Sequence, residues 1–240
     1  ELVKRYDSFG ELEFRELKQR CDQLGIEFMG TPFDHDSARL INELVDVHKI
    51  SSSDITNRPL VELIASFGKP VLLSTGASNL SEITQALHWI RDKGTPVALM
   101  HCILNYPTDT KDANLGRINT LNETFPDVPI GYSDHTMPSD SEVLLIASAL
   151  GAVVLEKHFT HDRSLPGNDH YHALDKDLLA EVVAQLDRAV LLTGTFSVHD
   201  LEIETTSREN ARRSLVTASA LPAGKVLTSQ DLIAKRPGTG

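Results

Sequence analysis

The sequence predicts an α/β fold in which parallel strands close into a barrel. Three observations carry this. Short apolar runs alternate with amphipathic stretches through six successive strand–helix units, which is the rhythm of a parallel sheet. Polar side chains collect at the C-terminal ends of those runs: Thr31, Lys49, Ser52, Ser74, His101, His135 and His158. A barrel gathers such ends around one mouth, whereas an open doubly wound sheet spreads them along an edge. Finally, no Gly-rich dinucleotide fingerprint follows any of the strands.

The elements follow in order. "ELEFRELKQRCDQLG" places Leu12, Phe14, Leu17 and Cys21 near helical spacing, and Gly25 ends the helix. The candidate strands are "IEFMGTPF" (26–33), "VHKISS" (47–52), "PVLLSTG" (70–76), "PVALMHC" (96–102), "VPIGYSD" (128–134) and "AVVLEKHF" (152–159). Between them run the helix patterns "DSARLINELV", "PLVELIASFG", "NLSEITQALHWIRDKG", "NLGRINTLNETF" and "SDSEVLLIASALG". A last helix, 175–194, closes the series. The polar, non-periodic stretch "TFSVHDLEIETTSREN" then reads as a linker, and "ARRSLVTASALPAGKVLTSQDLIAKRPGTG" has the β-type runs and tight "LPAG" turn of a second, smaller domain. The expected division is a partial barrel over 1–196, a linker over 197–210 and the start of the small domain over 211–240. The chain begins "ELVKRYDSFG", without Met, and stops at "KRPGTG", so it reads as part of a longer protein whose first two barrel strands lie outside it.

Composition narrows the function. With 240 residues, 40% hydrophobic and 24% charged, the chain is long enough for a large core. A net charge of −11 argues against nucleic acid, whose phosphates would be repelled. Small anionic substrates remain compatible, because a few lysines or a metal invert the field locally. Two cysteines, Cys21 and Cys102, make no disulfide framework. No apolar run approaches the roughly 20 residues of a membrane span, and no signal peptide is visible, which predicts a cytoplasmic protein.

Two strands end on histidine, His135 in "IGYSDHT" and His158 in "LEKHFT", 23 residues apart. In a barrel these are neighbours at the mouth. Strand alternation points Glu156 the same way as His158, and Ser133 the same way as His135. Two imidazoles on rigid strands, with water or substrate oxygens beside them, suit a divalent transition metal. The bland reading is two polar strand ends, one of which caps the next helix, and spacing alone leaves the two readings even. Lys49 and Ser52 in "KISSSD", with Ser74 and Thr75 in "LSTGAS", form a second group suited to a phosphate or carboxylate. A lysine inside an apolar strand is costly unless paired, so Lys49 asks for a partner. Ser78 and Asn79 read as helix caps, as do Asp34, His35 and Asp36. The stretch "HDRSLPGNDHYHALD" (161–175) holds His161, His170 and His172. It reads as a polar active-site loop rather than a metal cluster, because His170 and His172 lie in no regular element, and Asp169 is its best candidate for substrate contact.

Taken together, "TPFD", "KISSSD", "KPVLLSTG", "HCILNYPT", "DANLG", "IGYSDHT", "LEKHFT", "PGND" and "RRSLV…KRPG", in this order, resemble the N-acetylneuraminate (sialic acid) synthase family over essentially the whole chain. The resemblance implies a TIM-type (β/α)8 barrel followed by a small antifreeze-like (SAF) β-rich domain. It implies condensation of phosphoenolpyruvate with an N-acetylated amino sugar such as N-acetylmannosamine, giving a sialic-acid-type product and phosphate. By the same resemblance His135 and His158 bind a divalent cation, usually manganese, with magnesium or cobalt as alternatives. Lys49, Ser52, Ser74 and Thr31 bind phosphoenolpyruvate, Tyr106 and Asp169 lie on the sugar side, and Glu156 orients a ligand or moves a proton. Arg236 in "KRPG" maps onto an arginine that reaches the partner subunit's barrel in a domain-swapped homodimer. Where some members have Asn, this chain has Leu104, with Asn105 beside it, which leaves the sugar open. The family's first two strands carry a glutamate and a lysine of the active site, so these 240 residues alone are expected to lack part of it. Three other readings stand beside this one: a legionaminic or pseudaminic acid synthase of the same family, a metal-dependent barrel hydrolase or lyase, and a non-catalytic sugar-binding module.

Overall fold

The computed structural model describes residues 9–140, 142–167, 169–195, 198 and 202–236. It divides into two compact units, Glu1–Thr193 and Gly194–Gly240.

The larger unit begins with two helices, α1 (Glu11–Leu24) and α2 (His35–Leu44). Strand–helix units follow: β1 (His48–Ile50), α3 (Arg58–Ser66), β2 (Val71–Ser74), α4 (Leu80–Arg91), β3 (Val97–Cys102), α5 (Gly116–Thr124), β4 (Ile130–Asp134), α6 (Glu142–Ala149), β5 (Leu155–Lys157) and α7 (Lys176–Thr193). All four neighbouring strand pairs are parallel, and the sheet order is the chain order, β1-β2-β3-β4-β5. A doubly wound sheet reverses its order at a switch point, and this one does not, so the unit is built like part of a barrel.

Lys49 and Glu156 lie on the first and last strands of this sheet, yet Lys49 Nζ is 3.4 Å from Glu156 Oε2. Five flat strands at the usual spacing would separate β1 from β5 by roughly 19 Å, beyond the reach of these two side chains. The sheet is therefore strongly curled, with its strand-end side chains converging on the concave side.

The first of the six expected strands is absent: 26–33 runs as irregular chain without a ladder partner among the described residues. Ile26 is 57% exposed and Phe33 63%, so the apolar content that suggested a strand is not buried in the sheet. The segment instead lies on α2, where a Cβ at Gly30 would come within 2.7 Å of Ile41 Cδ1.

The main core fills the space between the sheet and α3–α7, with Leu73, Leu99 and Ile130 from strands meeting Ile64, Ile90, Ile118 and Ala147 from helices. Each of these Leu and Ile side chains contributes about 1.5–3 kcal/mol by leaving water. Two helix starts follow the capping pattern of the sequence. Asp34 accepts from the backbone N–H of Asp36 and Ser37 before α2, which holds its carboxyl below the usual range. Asn79 and Glu82 form a reciprocal capping box before α4. Ser78 is not a cap, because its hydroxyl donates to the Gly76 carbonyl.

The second unit contains helix α8 (Thr205–Ala211) and an antiparallel pair, β6 (Ser214–Thr217) with β7 (Leu232–Lys235). Part of the expected linker is thus helical. Its residues are polar and exposed, so it carries no apolar period, and local bonds such as Asn210 Nδ2 to the Thr206 carbonyl hold it. The turn after Pro222 places Gly224 at φ 85°, a left-handed conformation that a side chain strains. Residues 196, 197 and 199–201 of that linker lie outside the described residues. Among the described residues, no helix is long and apolar enough to cross a membrane.

Candidate active site

The concave side of the curl carries two groups of side chains. The first surrounds Lys49, which is buried and paired with Glu156 as a strand-interior lysine requires. Ser52, just past β1, accepts from the Gly76 N–H at 2.9 Å and lies 2.9 Å from Cys102 Sγ. This approach needs glycine at 76, since a Cβ there would come within 2.7 Å of Cys102 Sγ and 2.9 Å of Ser52 Oγ. Burial pushes the Cys102 thiol up, so it stays protonated beside the lysine. Ser74 ends β2 fully buried, and its hydroxyl has no hydrogen-bond partner. Buried hydroxyls are normally satisfied, so this one is suited to a ligand atom. Thr75 is committed to the Met100 carbonyl. Thr31 is half-buried in the segment that forms no strand.

The second group is a run of rings. Tyr106 lies 4.1 Å from His135, centroid to centroid, and His135 lies 5.4 Å from His158. His158 in turn lies 4.8 Å from His172. His135 Nδ1 is 2.7 Å from the Ile103 carbonyl and must donate to it, which leaves Nε2 with its lone pair. Burial lowers the pKa of His135, and burial followed by the nearby His135 lowers that of His158. Both rings are thereby kept neutral, the form that ligates a metal. His158, Asp169 and His172 offer ligand atoms that all lie within 4.8 Å of one another. Neutral imidazoles with a carboxylate fit a divalent cation.

The structure thus brings together most of the residues singled out in the sequence. Glu156 pairs with Lys49 across the curl. Its charge is felt at His135, His158 and Tyr106, so the lysine group and the ring group adjoin. Arg236 is the last described residue, exposed just after β7 in the other unit. His161 is exposed, and His170 Nδ1 is engaged with Thr160 Oγ1 at 2.7 Å.

His172 departs from expectation. The loop that carries it is anchored, because Leu174 bridges to Phe159, with its N–H donating to the His158 carbonyl and its carbonyl accepting from Thr160 N–H. His172 is fully buried two residues before that bridge. The available sequence signal was the apolar Ala173–Leu174 pair, buried in a stretch that otherwise reads as polar.

Sequence reasoning also missed a buried ion pair on the other face. Lys157 donates to Asp134 Oδ2 at 2.6 Å and to the Thr136 carbonyl at 2.5 Å. Tyr132 Oη donates to Asp134 Oδ1 at 2.9 Å, and Thr136 donates to both carboxylate oxygens. Asp134 and Lys157 directly precede His135 and His158, so this network fixes both ends of the histidine pair.

Residues 1–197 match the NeuB family. The N,N'-diacetyllegionaminic acid synthase of Legionella pneumophila is 36% identical over all of this chain, which spans 70% of that protein. A crystal structure of N-acetylneuraminic acid (sialic acid) synthetase from Leptospira borgpetersenii in complex with citrate superposes with a TM-score of 0.79 at 35% identity, over 85% of this chain and 75% of that one. At the level of fold alone, a phospho-2-dehydro-3-deoxyheptonate aldolase of Thermotoga maritima superposes with a TM-score of 0.70 at 19% identity, over 79% of this chain and 58% of that one. On the family match and on this identity along its whole length, the chain belongs to the NeuB family.

Proposed function

We propose that this chain carries the condensing site of a sialic-acid-type synthase, which joins phosphoenolpyruvate to an N-acetylated amino sugar and releases phosphate. One observation carries the reading. A buried lysine with neighbouring hydroxyls, suited to an anion, adjoins a cluster of neutral imidazoles suited to a divalent cation, and Glu156 borders both.

Lys49, Ser52 and Ser74 hold the phosphate and carboxylate of phosphoenolpyruvate, with Thr31 at the edge of this pocket. The unpartnered Ser74 hydroxyl donates to one of those oxygens. Tyr106 and Asp169 face the sugar. His135 and His158 would hold the cation, manganese being the first candidate, and when bound it would supply Lewis-acid polarisation of the sugar's aldehyde oxygen. The enol carbon of phosphoenolpyruvate bonds to the aldehyde carbon as the C=O π bond opens to an alkoxide, which takes up a proton from solvent. Water adds to the phosphate-bearing carbon, and that carbon's bond to the phosphate oxygen then breaks. Lys49 stabilises the charge on the departing phosphate, while Glu156, held by Lys49, accepts the proton of the added water.

The remaining parts of the reading follow the family. The barrel is completed by strands beyond those described, and the second unit is the start of an antifreeze-like domain. Arg236 reads the sugar's N-acetyl group in a partner subunit's barrel, its planar fork being suited to an amide oxygen. Relatives named for legionaminic and for sialic acid are almost equally identical to this chain, so the substrate is assigned as a class, the N-acetylated amino sugars. Phosphoenolpyruvate is a metabolite of the cytoplasm, and the protein works there.

The test is product identification. The full-length protein is incubated with phosphoenolpyruvate, a divalent cation and a panel of N-acetylated hexosamines, and products are read by mass spectrometry alongside released phosphate. A nine-carbon keto acid with one equivalent of phosphate is expected. No product from any sugar, together with sugar binding indifferent to metal and to His135→Ala, would replace this reading with a non-catalytic sugar-binding module.

A further inference from the structure

We propose that the cleft between α4 and α5 is a regulatory site for a small aromatic or branched-chain monocarboxylate, whose binding weakens that of phosphoenolpyruvate through the turn at residues 74–79. The regulatory half rests on the phosphoenolpyruvate reading above, and the site itself does not.

The cleft has a volume of about 230 Å³. Leu80 and Ile83 of α4 and Leu121 of α5 give it apolar walls. Its floor is polar and out of water, with Thr75 4% exposed and His101 1%. Arg117 stands exposed at the rim and is the only permanent charge in the lining. It makes no hydrogen bond or ion pair among the described residues, yet its charge is felt at His101 on the floor. A guanidinium above apolar walls fits a planar carboxylate carried on an apolar body. A dry cavity of about 150 Å³ accommodates benzene, so this cleft has room for about nine non-hydrogen atoms, the size of benzoate. A phosphate dianion or a polyhydroxylated sugar would set polar groups against Leu80, Ile83 and Leu121, which disfavours both.

The turn at 74–79 is a wall shared with the candidate active site. Thr75 and Ser78 line the cleft, while Ser74 and Gly76 belong to the lysine group, where Gly76 N–H donates to Ser52 Oγ at 2.9 Å. Between Gly76 and Ser78, Ala77 has φ 53°, a left-handed conformation that its side chain strains. One bond that holds the turn there runs from the Ser78 hydroxyl to the Gly76 carbonyl, at 3.1 Å. A carboxylate paired with Arg117 competes for that hydroxyl. An occupied cleft thus frees the Gly76 carbonyl, lets Ala77 relax and draws Gly76 N–H away from Ser52, loosening the anion group.

The probe is benzoate, titrated into the full-length protein with labelled Ile and Leu methyl groups and followed by NMR. Shifts at Ile83 and Leu121 are expected, with Kd of about a millimolar or tighter. Benzyl alcohol, an uncharged analogue of similar shape, should bind about tenfold more weakly, and Arg117→Gln should weaken benzoate by a similar factor, the low end for a hydrogen bond to a charged group. Thr120→Phe fills the mouth of the cleft from an exposed helix position and should abolish binding in a folded protein. Calorimetry then reads the coupling. Saturating benzoate should raise Kd for phosphoenolpyruvate about fivefold or more, and phosphoenolpyruvate should raise Kd for benzoate by the same factor. No shifts at Ile83 and Leu121 well above millimolar benzoate, or binding indifferent to both Arg117→Gln and Thr120→Phe, overturns the site. Binding in the cleft with an unchanged Kd for phosphoenolpyruvate overturns its regulatory role. If phosphoenolpyruvate itself does not bind, the reading of the active site falls, while the cleft and its ligand stand.

Discussion

Replacing Lys157 by Met removes one half of a buried ion pair and leaves the other half in place. The Lys157 side chain is 7% exposed and that of Asp134 1%, so water cannot take over the lost partner. Met fills most of the lysine stem's volume, and the cavity contribution is small. Breaking a buried pair from one side costs about 3–5 kcal/mol, because an uncompensated charge stays behind. Asp134 still accepts from Tyr132 Oη, Thr136 N–H and Thr136 Oγ1, which favours the lower end, about 3 kcal/mol. In a unit of this size each kcal/mol shifts Tm by about 2–4 °C, so the expected fall is about 6–12 °C. Urea and thermal unfolding followed by circular dichroism measure it. The double variant Asp134→Asn, Lys157→Met should recover part of the loss, since neither charge is then stranded. A loss under about 1 kcal/mol in Lys157→Met, or a double variant worse than the sum of its parts, would show that the pair does not brace β4 against β5.

Lys49→Met should raise KM for phosphoenolpyruvate about tenfold or more while leaving that for the sugar within about twofold, since a charge-assisted hydrogen bond contributes roughly 1.5–3 kcal/mol; equal rises in both constants would reduce Lys49 to a partner for Glu156. His48 is fully buried, and burial, with a smaller contribution from Lys69, pushes its pKa down to about 4 from the usual 6.5. Between those values the unfolded chain binds a proton that the folded chain does not. The contribution of His48 is therefore intact above about pH 6.5 and is lost as pH falls toward 4, by up to about 3 kcal/mol. His48→Gln, which cannot titrate, should show a correspondingly shallower loss in urea titrations across that window, and an unchanged slope would refute the assignment. A Cβ at Gly131 would collide with Met100 Sδ and come within 2.8 Å of the Val154 carbonyl, which accepts from Tyr132 N–H. Gly131→Ala should therefore cost about 1–3 kcal/mol and speed hydrogen exchange at Tyr132, and native exchange there would show that Met100 yields instead.

What was legible in the sequence follows from how local each signal is. The runs behind β1 to β5 are continuously apolar because both faces of a parallel sheet are covered, and that pattern needs no tertiary knowledge. The run at 26–33 is equally apolar, but an apolar segment becomes a strand only with a neighbour to bond, and here it packs on α2 instead. Helix α8 was invisible for the opposite reason, since nothing on it is buried. At the site, His135 and His158 stood out because each ends an apolar run. His172 did not, because what fixes it is the bridge between Leu174 and Phe159, a pairing across a loop that no period encodes. The partner of Lys49 was likewise out of reach, since it lies on the far strand of the sheet and is brought near only by the curl.

The aim of His158 has its cause in the sequence of β5. Glu156 and Lys157 are adjacent, so strand alternation sends them to opposite faces. Glu156 meets Lys49 on the concave side, and Lys157 meets Asp134 on the other. A slip of β5 by one residue would exchange the two, setting Lys157 beside Lys49 and Glu156 beside the buried carboxylate of Asp134. Both like-charge encounters are unfavourable, and the second would bury two acids together. Opposite charges at consecutive positions therefore pin the register observed, in which Ser133 pairs with Glu156 and Asp134 with Lys157. His158 follows on the parity of Glu156, and its ring is directed to the concave side, toward His135 and His172. The motif "EKH" thus places the imidazole through the two charges before it. A charge swap in β5 alone, Glu156→Lys with Lys157→Glu, should on this argument abolish metal binding even though His158 is retained. Metal binding at wild-type affinity in that variant would show that the histidine is positioned by something other than the register.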